Sequence, residues 1–109
     1  KTLFPYTTLF RSPIYHYAEK LHHIHLKDVK VYQDKLDRVG IMANPLEYHS
    51  PKLPGLGDIQ WGKFISALHD VRYRGPIVIE VEDKAFEGSD DDVQKAIYMA
   101  RNHINTFLP

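Results

Sequence analysis

The heptapeptide "HHIHLKD", residues 22–28, places three histidines, a lysine and an aspartate within seven positions. Further along, "IVIEVED", residues 77–83, sets carboxylates into a run of β-branched residues. Imidazole nitrogen and carboxylate oxygen are donors that one divalent cation can share, either Zn²⁺ or a harder ion such as Mn²⁺ or Mg²⁺. The chain has no cysteine, so thiolate ligands and disulfides are excluded, and any metal must be held by His, Asp or Glu. A carboxylate such as Glu80 inside an apolar run is expensive to bury uncompensated, so it carries more weight than a lone strand histidine. From the residues alone two readings stand. The pair is half of a metal site, or it is two polar strand ends with hydrogen-bonded histidines.

Positioning these groups requires strands. "IYHYAEKL" (14–21) reads as the last turns of a helix, and "HHIHLKDV" (22–29) then alternates, with His23, His25 and Lys27 on one face and His22, Ile24 and Leu26 on the other. From about 30 to 60 the chain is loop-like, punctuated by Pro45, Pro51, Pro54, Gly40, Gly55 and Gly57. Such a length far exceeds the usual connection of an α/β unit and suits an active-site loop. A helix with Trp61, Phe64, Ile65, Leu68 and Val71 on one stripe follows, with Asp58 as candidate cap. "GPIVIEVED" (75–83) is the clearest strand, with Ile77, Ile79 and Val81 on one face and Val78, Glu80 and Glu82 on the other. Ser89 and Asp92 then form a capping box, and Val93, Ala96, Ile97, Ala100 and Ile104 continue as an apolar helical face.

This order is two successive βα units, which implies parallel strands joined by right-handed crossovers. Two strands cannot bury both faces of a parallel sheet, so the organisation predicts a piece of a larger α/β fold. A barrel is favoured over a doubly wound sheet, because polar groups lie on the face that would point inward at the strand ends.

Composition narrows the classes. The chain has 109 residues, 43% hydrophobic and 26% charged, within the globular range and with no apolar run of membrane-spanning length. Zero net charge argues against a nucleic-acid surface. Lack of cysteine fits a reducing compartment, and a cytoplasmic location is expected. The first twelve residues, "KTLFPYTTLFRS", have neither helical nor strand period. Thr2 to Ser12 agrees codon for codon with the in-frame translation of a common sequencing-library adapter, so residues 1–12 are expected to be non-native and residues 13–109 the natural domain. Without Lys1 and Arg11, 12 basic residues face 14 acidic ones, a net charge of −2.

The stretches "HIHLKD" and "LPGLGDIQWGKFISALHDVRYRGPIVIEVED" resemble the closing quarter of sugar phosphate isomerases/epimerases of the xylose-isomerase-like TIM-barrel superfamily. The resemblance runs from Leu21 to about Pro109 and implies the last two βα units of a (β/α)₈ barrel, incomplete in this chain. In that family the seventh strand ends with a metal-ligating His and the eighth carries a metal-ligating Glu, which fall on His25 and Glu80. The family's other two ligands, a Glu on the fifth strand and an Asp on the sixth, have no counterpart here. The resemblance implies a metal-dependent isomerase or epimerase of a sugar, sugar phosphate or related polyol. Carboxylates there move a proton through an enediolate, with Glu80 both ligand and one of the proton-transfer pair.

The same comparison leaves roles for neighbours. Lys27 at the mouth is a candidate substrate contact, with a strand-end ion pair as the alternative. Arg38 in the long loop is a further candidate, together with Lys35 and His49, because the Arg that some relatives place six residues after the metal His is replaced here by Val31. His23, Asp28 and Glu82 are candidates for holding the ligands from behind. The zinc endonuclease branch of the superfamily needs a downstream Asp-x-His, which "LDRVGIM" (36–42) lacks. As a separate chain, with two of the four ligands and two of the eight strands, the polypeptide is expected to be inactive. The expected partner is a small sugar or polyol, with no nucleic acid and no membrane.

Overall fold

The structure, a computed structural model, describes residues 12–109. The segment expected to be adapter-derived therefore lies, apart from Ser12, outside the described residues. Residues 12–16 are helical and a 3-10 turn follows at Ala18–Lys20, in keeping with a helix end before the histidine-rich stretch. Ile14 is buried against the core.

The centre is a pair of short parallel strands that begins with β1 (Ile24–Leu26); the next strand in the chain, β2 (Asp28–Val31), leaves this pair. The partner of β1 is β4 (Ile77–Ile79), in the register Ile24 with Ile77, His25 with Val78 and Leu26 with Ile79. Strand alternation sends Ile24, Leu26, Ile77 and Ile79 to one side, where they pack against Trp61, Ile65 and Leu68. His25 and Val78 remain on the other, open side. Among the described residues each strand of this pair has one neighbour only, so the sheet is an open arc rather than a closed barrel. A mixed α/β piece with parallel strands is what the sequence predicts for part of a TIM barrel.

The expected loop of 30–60 is more structured than its prolines and glycines suggest. β2 pairs antiparallel with β3 (His49–Lys52), Asp28 opposite Lys52 and Val31 opposite His49, and α1 (Gln33–Val39) lies between them. Tyr32 donates its backbone N–H to Tyr48 O at 2.8 Å, carrying the pairing one step beyond the strands. Gly40, at φ +75°, ends α1 with its N–H on Leu36 O. Pro51 is accommodated because the strand is at the edge of a two-stranded ribbon.

α2 (Trp61–Asp70) buries Trp61, Ile65, Ala67 and Leu68, with Phe64 and Val71 half-buried, along the expected stripe. Asp58 is not its cap. The helix begins after Gln60, too far on for the Asp58 carboxylate to reach its first amides, and Asp58 instead accepts the Val31 N–H at 2.8 Å. α3 (Asp90–Asn105) is capped as expected: Ser89 Oγ accepts the Asp92 N–H at 3.1 Å, and Asp90, Asp91 and Asp92 sit at the positive end of the helix dipole. Its expected apolar face is corrected in part. Ala96, Ala100 and Ile104 are buried, but Val93 and Ile97 are 40% and 46% exposed. The small alanines allow close approach to Leu53, while Val93 and Ile97 lie off that line of contact. No helix among the described residues is long and apolar enough to cross a membrane.

Candidate functional site

The period of two that buries Ile24 and Leu26 pushes the residues between and after them to the open side. His25 emerges from the middle of β1 and Lys27 follows it. Glu80 and Glu82 follow the end of β4 on the same side, because Val78 shares their parity. Parallel pairing places these groups together at the C-terminal ends of both strands, with Glu80 N–H bonded to Leu26 O at 2.9 Å.

His25 Nδ1 lies 2.7 Å from Glu80 Oε1, and the two side chains are 52% and 37% exposed. Lys27 Nζ lies 2.9 Å from Glu82 Oε2. The expected alternative for Lys27, a strand-end ion pair, is therefore formed, at the edge of the same site. The hydrogen bond from His25 holds the Glu80 carboxyl below its ordinary range; desolvation opposes this, and the charges of His25 and Lys27 assist it. The Lys27 ammonium is raised above its ordinary value, first by its hydrogen bond to Glu82 and also by the charges of Glu82 and Glu80, against desolvation. His23 sits below His25, the ring centroids 4.8 Å apart. A small cavity of about 120 Å³ adjoins His25 and Lys27, walled by Ile59, Trp61 and Phe64.

The donor set fits a divalent cation in kind: one imidazole nitrogen and one carboxylate kept ionised. Two ligands each ~2.1 Å from a shared ion and at right angles lie ~3 Å apart, so the hydrogen-bonded pair needs only a small side-chain rotation. In number the set is half of what a protein site uses. No group of three or more His, Cys, Asp or Glu side chains converges among the described residues.

The remaining candidates go elsewhere. Asp28, expected behind the ligands, faces the opposite way and is fully buried. Its Oδ1 accepts the N–H groups of Val29 at 2.8 Å and Ile59 at 3.2 Å. Its Oδ2 accepts those of Gly55 at 3.0 Å and Gly57 at 3.2 Å, and Trp61 Nε1–H at 2.9 Å. The glycine positions are required: a Cβ on Gly57 would overlap Asp28 Oδ1 and the Val29 carbonyl, and one on Gly55, at φ +106°, would meet the His103 ring. Arg38 lies on the exposed surface of α1, 4.0 Å from Asp34. Lys35 stacks over the Tyr32 ring. His49 opens β3, with its Nδ1 buried and without a hydrogen-bond partner among the described residues.

Sequence reasoning missed Asp83. It is 2% exposed, accepts the N–H groups of Leu53 and Ala85 at 3.1 Å each, and lies 3.8 Å from Lys52 Nζ. The signal was available in its position. The parity that sends Glu80 and Glu82 to the open side turns Asp83 back toward the loop.

No curated protein matches the chain. The family model of the xylose isomerase-like TIM barrel matches residues 4–103. That match begins inside the segment expected to be adapter-derived, and it gives such an origin no support. Covering most of the 109 residues, it shows that the chain belongs to the xylose isomerase-like TIM-barrel family, a largely enzymatic group of sugar isomerase/epimerase and endonuclease types.

Proposed function

We propose that, of the two enzyme types the family suggests, this chain belongs to the isomerases/epimerases acting on a sugar, sugar phosphate or polyol. The single observation that carries the reading is the 2.7 Å approach of His25 Nδ1 to Glu80 Oε1 at the C-terminal ends of two parallel strands. There a (β/α)₈ barrel assembles its catalytic groups. His25 and Glu80 would hold a divalent cation, Mn²⁺, Mg²⁺ or Zn²⁺, as two of its ligands. Bound there, the cation would supply Lewis-acid polarisation of the substrate's carbonyl and neighbouring hydroxyl oxygens.

The chain's own residues do the rest. Glu80 would take or return the proton at the carbon beside the carbonyl. Lys27, tied to Glu82, stands where it can donate to a substrate oxygen. The endonuclease type is disfavoured because α1 and the turn after it, residues 36–42, carry no Asp-x-His. With two ligands among the described residues, the 109-residue chain alone is expected to be inactive.

The test is metal content and turnover in the complete barrel. His25→Ala is expected to remove most of the bound metal and activity together, and Glu80→Gln to abolish turnover. Full metal occupancy in His25→Ala would overturn the assignment.

A further inference from the structure

We infer, resting on the function proposed above, that the substrate presents no phosphate to the loops after these two strands: the group bound there is an uncharged polyol or sugar. In (β/α)₈ barrels the loops after the seventh and eighth strands, with a helix N-terminus beside them, are the usual phosphate site. The resemblance assigns β1 and β4 to those two strands. The loops after them hold the groups an anion would seek, but the chain's own carboxylates have taken them.

The glycine-rich turn of "LPGLGDIQW" (53–61) is the clearest case. Successive backbone N–H groups in such a turn form a nest for an anion. Here the N–H groups of Gly55, Gly57 and Ile59, with Trp61 Nε1–H, converge on Asp28. With the Val29 N–H, five donors fill a carboxylate that has about four lone-pair sites, so the nest is both occupied and saturated. After β4, Asp83 takes the N–H of Ala85 at the start of the next turn and that of Leu53. The N-terminus of α3 is closed by Ser89 and carries three aspartates in its first turn.

Two of the cations are committed in the same way. Lys27 pairs with Glu82 and Lys52 with Asp83. A cavity of about 400 Å³ lies between β3 and the segment after β4, with Glu82 in its wall. Its walls carry Lys52 and Lys84 against Glu82, Asp83 and Glu87, so an incoming phosphate meets an excess of negative charge. A neutral polyol meets no such repulsion and finds both donors and acceptors. His49, also in that wall, has a ring nitrogen without a partner among the described residues, a hydrogen-bonding capacity beside the cavity.

Two measurements on the complete, metal-loaded barrel separate this inference from the reading it rests on. The first is turnover of a panel of free sugars and polyols, each paired with its terminal phosphate ester. The free compound is expected to exceed its ester in kcat/KM by about tenfold or more, since like charges in a binding site are costly. The second is titration with inorganic phosphate in millimolar excess, followed by NMR of the His49 and Lys84 side chains. No perturbation is expected in the wild type, whereas Glu82→Gln, which releases Lys27, should admit phosphate. Preference for the ester, or phosphate perturbing the wild-type resonances, overturns the inference whether or not turnover is seen. Turnover of neither class, with phosphate still excluded, fails the isomerase reading and leaves the anion-excluding loops in place.

Discussion

Four carboxylates lie at or beyond the ends of the same two strands, and parity divides them into two kinds. Asp28 and Asp83 face the loop side, are almost without exposure, and have their oxygens filled by N–H groups of the chain. Glu80 and Glu82 face the open side, are substantially exposed, and each meets one basic side chain. The first kind is spent on the chain itself, Asp28 to saturation and Asp83 on two N–H groups and Lys52. The second keeps lone pairs free for something that is not part of the chain. A carboxylate's fate here is decided by which side of a strand it occupies, more than by its residue type or distance along the sequence.

The comparison is broken most directly at Asp28. Asp28→Ala leaves a cluster of buried N–H groups unpaired, each costing ~1–3 kcal/mol, so the complete barrel should lose about 4 kcal/mol or more in chemical denaturation. Asp28→Asn should recover little, because an amide offers one acceptor oxygen where two are used. Either variant unfolding at the wild-type midpoint would show that the hydrogen-bonded hub is not what holds the loop. Gly57→Ala attacks the same contact from the other side. Its methyl would overlap Asp28 Oδ1 and the Val29 carbonyl, and a forced shift of this kind costs ~1–3 kcal/mol. His25→Ala, on the open face, should change stability by less than ~1 kcal/mol, the range of exposed pairs, while metal binding collapses.

This contrast also explains what the sequence could and could not reveal. The open face was legible because a period of two needs only neighbours in the chain: once Ile24 and Leu26 are core, His25 and Lys27 must face away. The α2 stripe and the Ser89 cap are local, and they are found where the sequence predicts them; the parallel pairing follows from the βα order, but its register could not be read in advance. The Asp28 hub was not legible, because its donors lie 27 to 33 residues away and converge only after the loop has folded. The pairing of β2 with β3 was hidden for the same reason, and by Pro51, which argues against a strand unless that strand is at an edge. On α3 the periodicity identified apolar residues but not their partners. It could not separate Ala96 and Ala100, beneath Leu53, from Val93 and Ile97.

pH sharpens the comparison with smaller effects. A carboxyl held below its unfolded value stabilises the fold above the unfolded pKa and loses that contribution as pH falls through the folded one. The Glu80–His25 contribution is therefore acid-labile. Lys27 is raised, so its contribution is complete below its unfolded pKa and is lost as pH rises through the folded one. Both groups are exposed, so the stability effects are minor and are best read as titrations. NMR of the Glu80 carboxyl should move up toward the ordinary range in His25→Ala, and the Lys27 amine should move down in Glu82→Gln. An unmoved Glu80 titration would mean that His25 is not the cause of its shift.

The smallest expected effect is at Arg38. It lies on the outer surface of α1, with only a 4.0 Å approach to Asp34 one helical turn away. Exposed i,i+4 pairs contribute ~0.3–0.5 kcal/mol, so Arg38→Ala should leave the denaturation midpoint almost unchanged. The kinetic readout is then decisive for its proposed role as a substrate contact. A residue that clamps substrate in the closed barrel raises KM when truncated, with stability untouched. If Arg38 only decorates the ribbon between β2 and β3, both KM and kcat stay at wild-type values. Because Arg38 lies on an exposed helix surface facing Asp34, the second result is the expected one. A rise in KM confined to phosphate esters would instead make Arg38 a cation of this loop that an anion can reach.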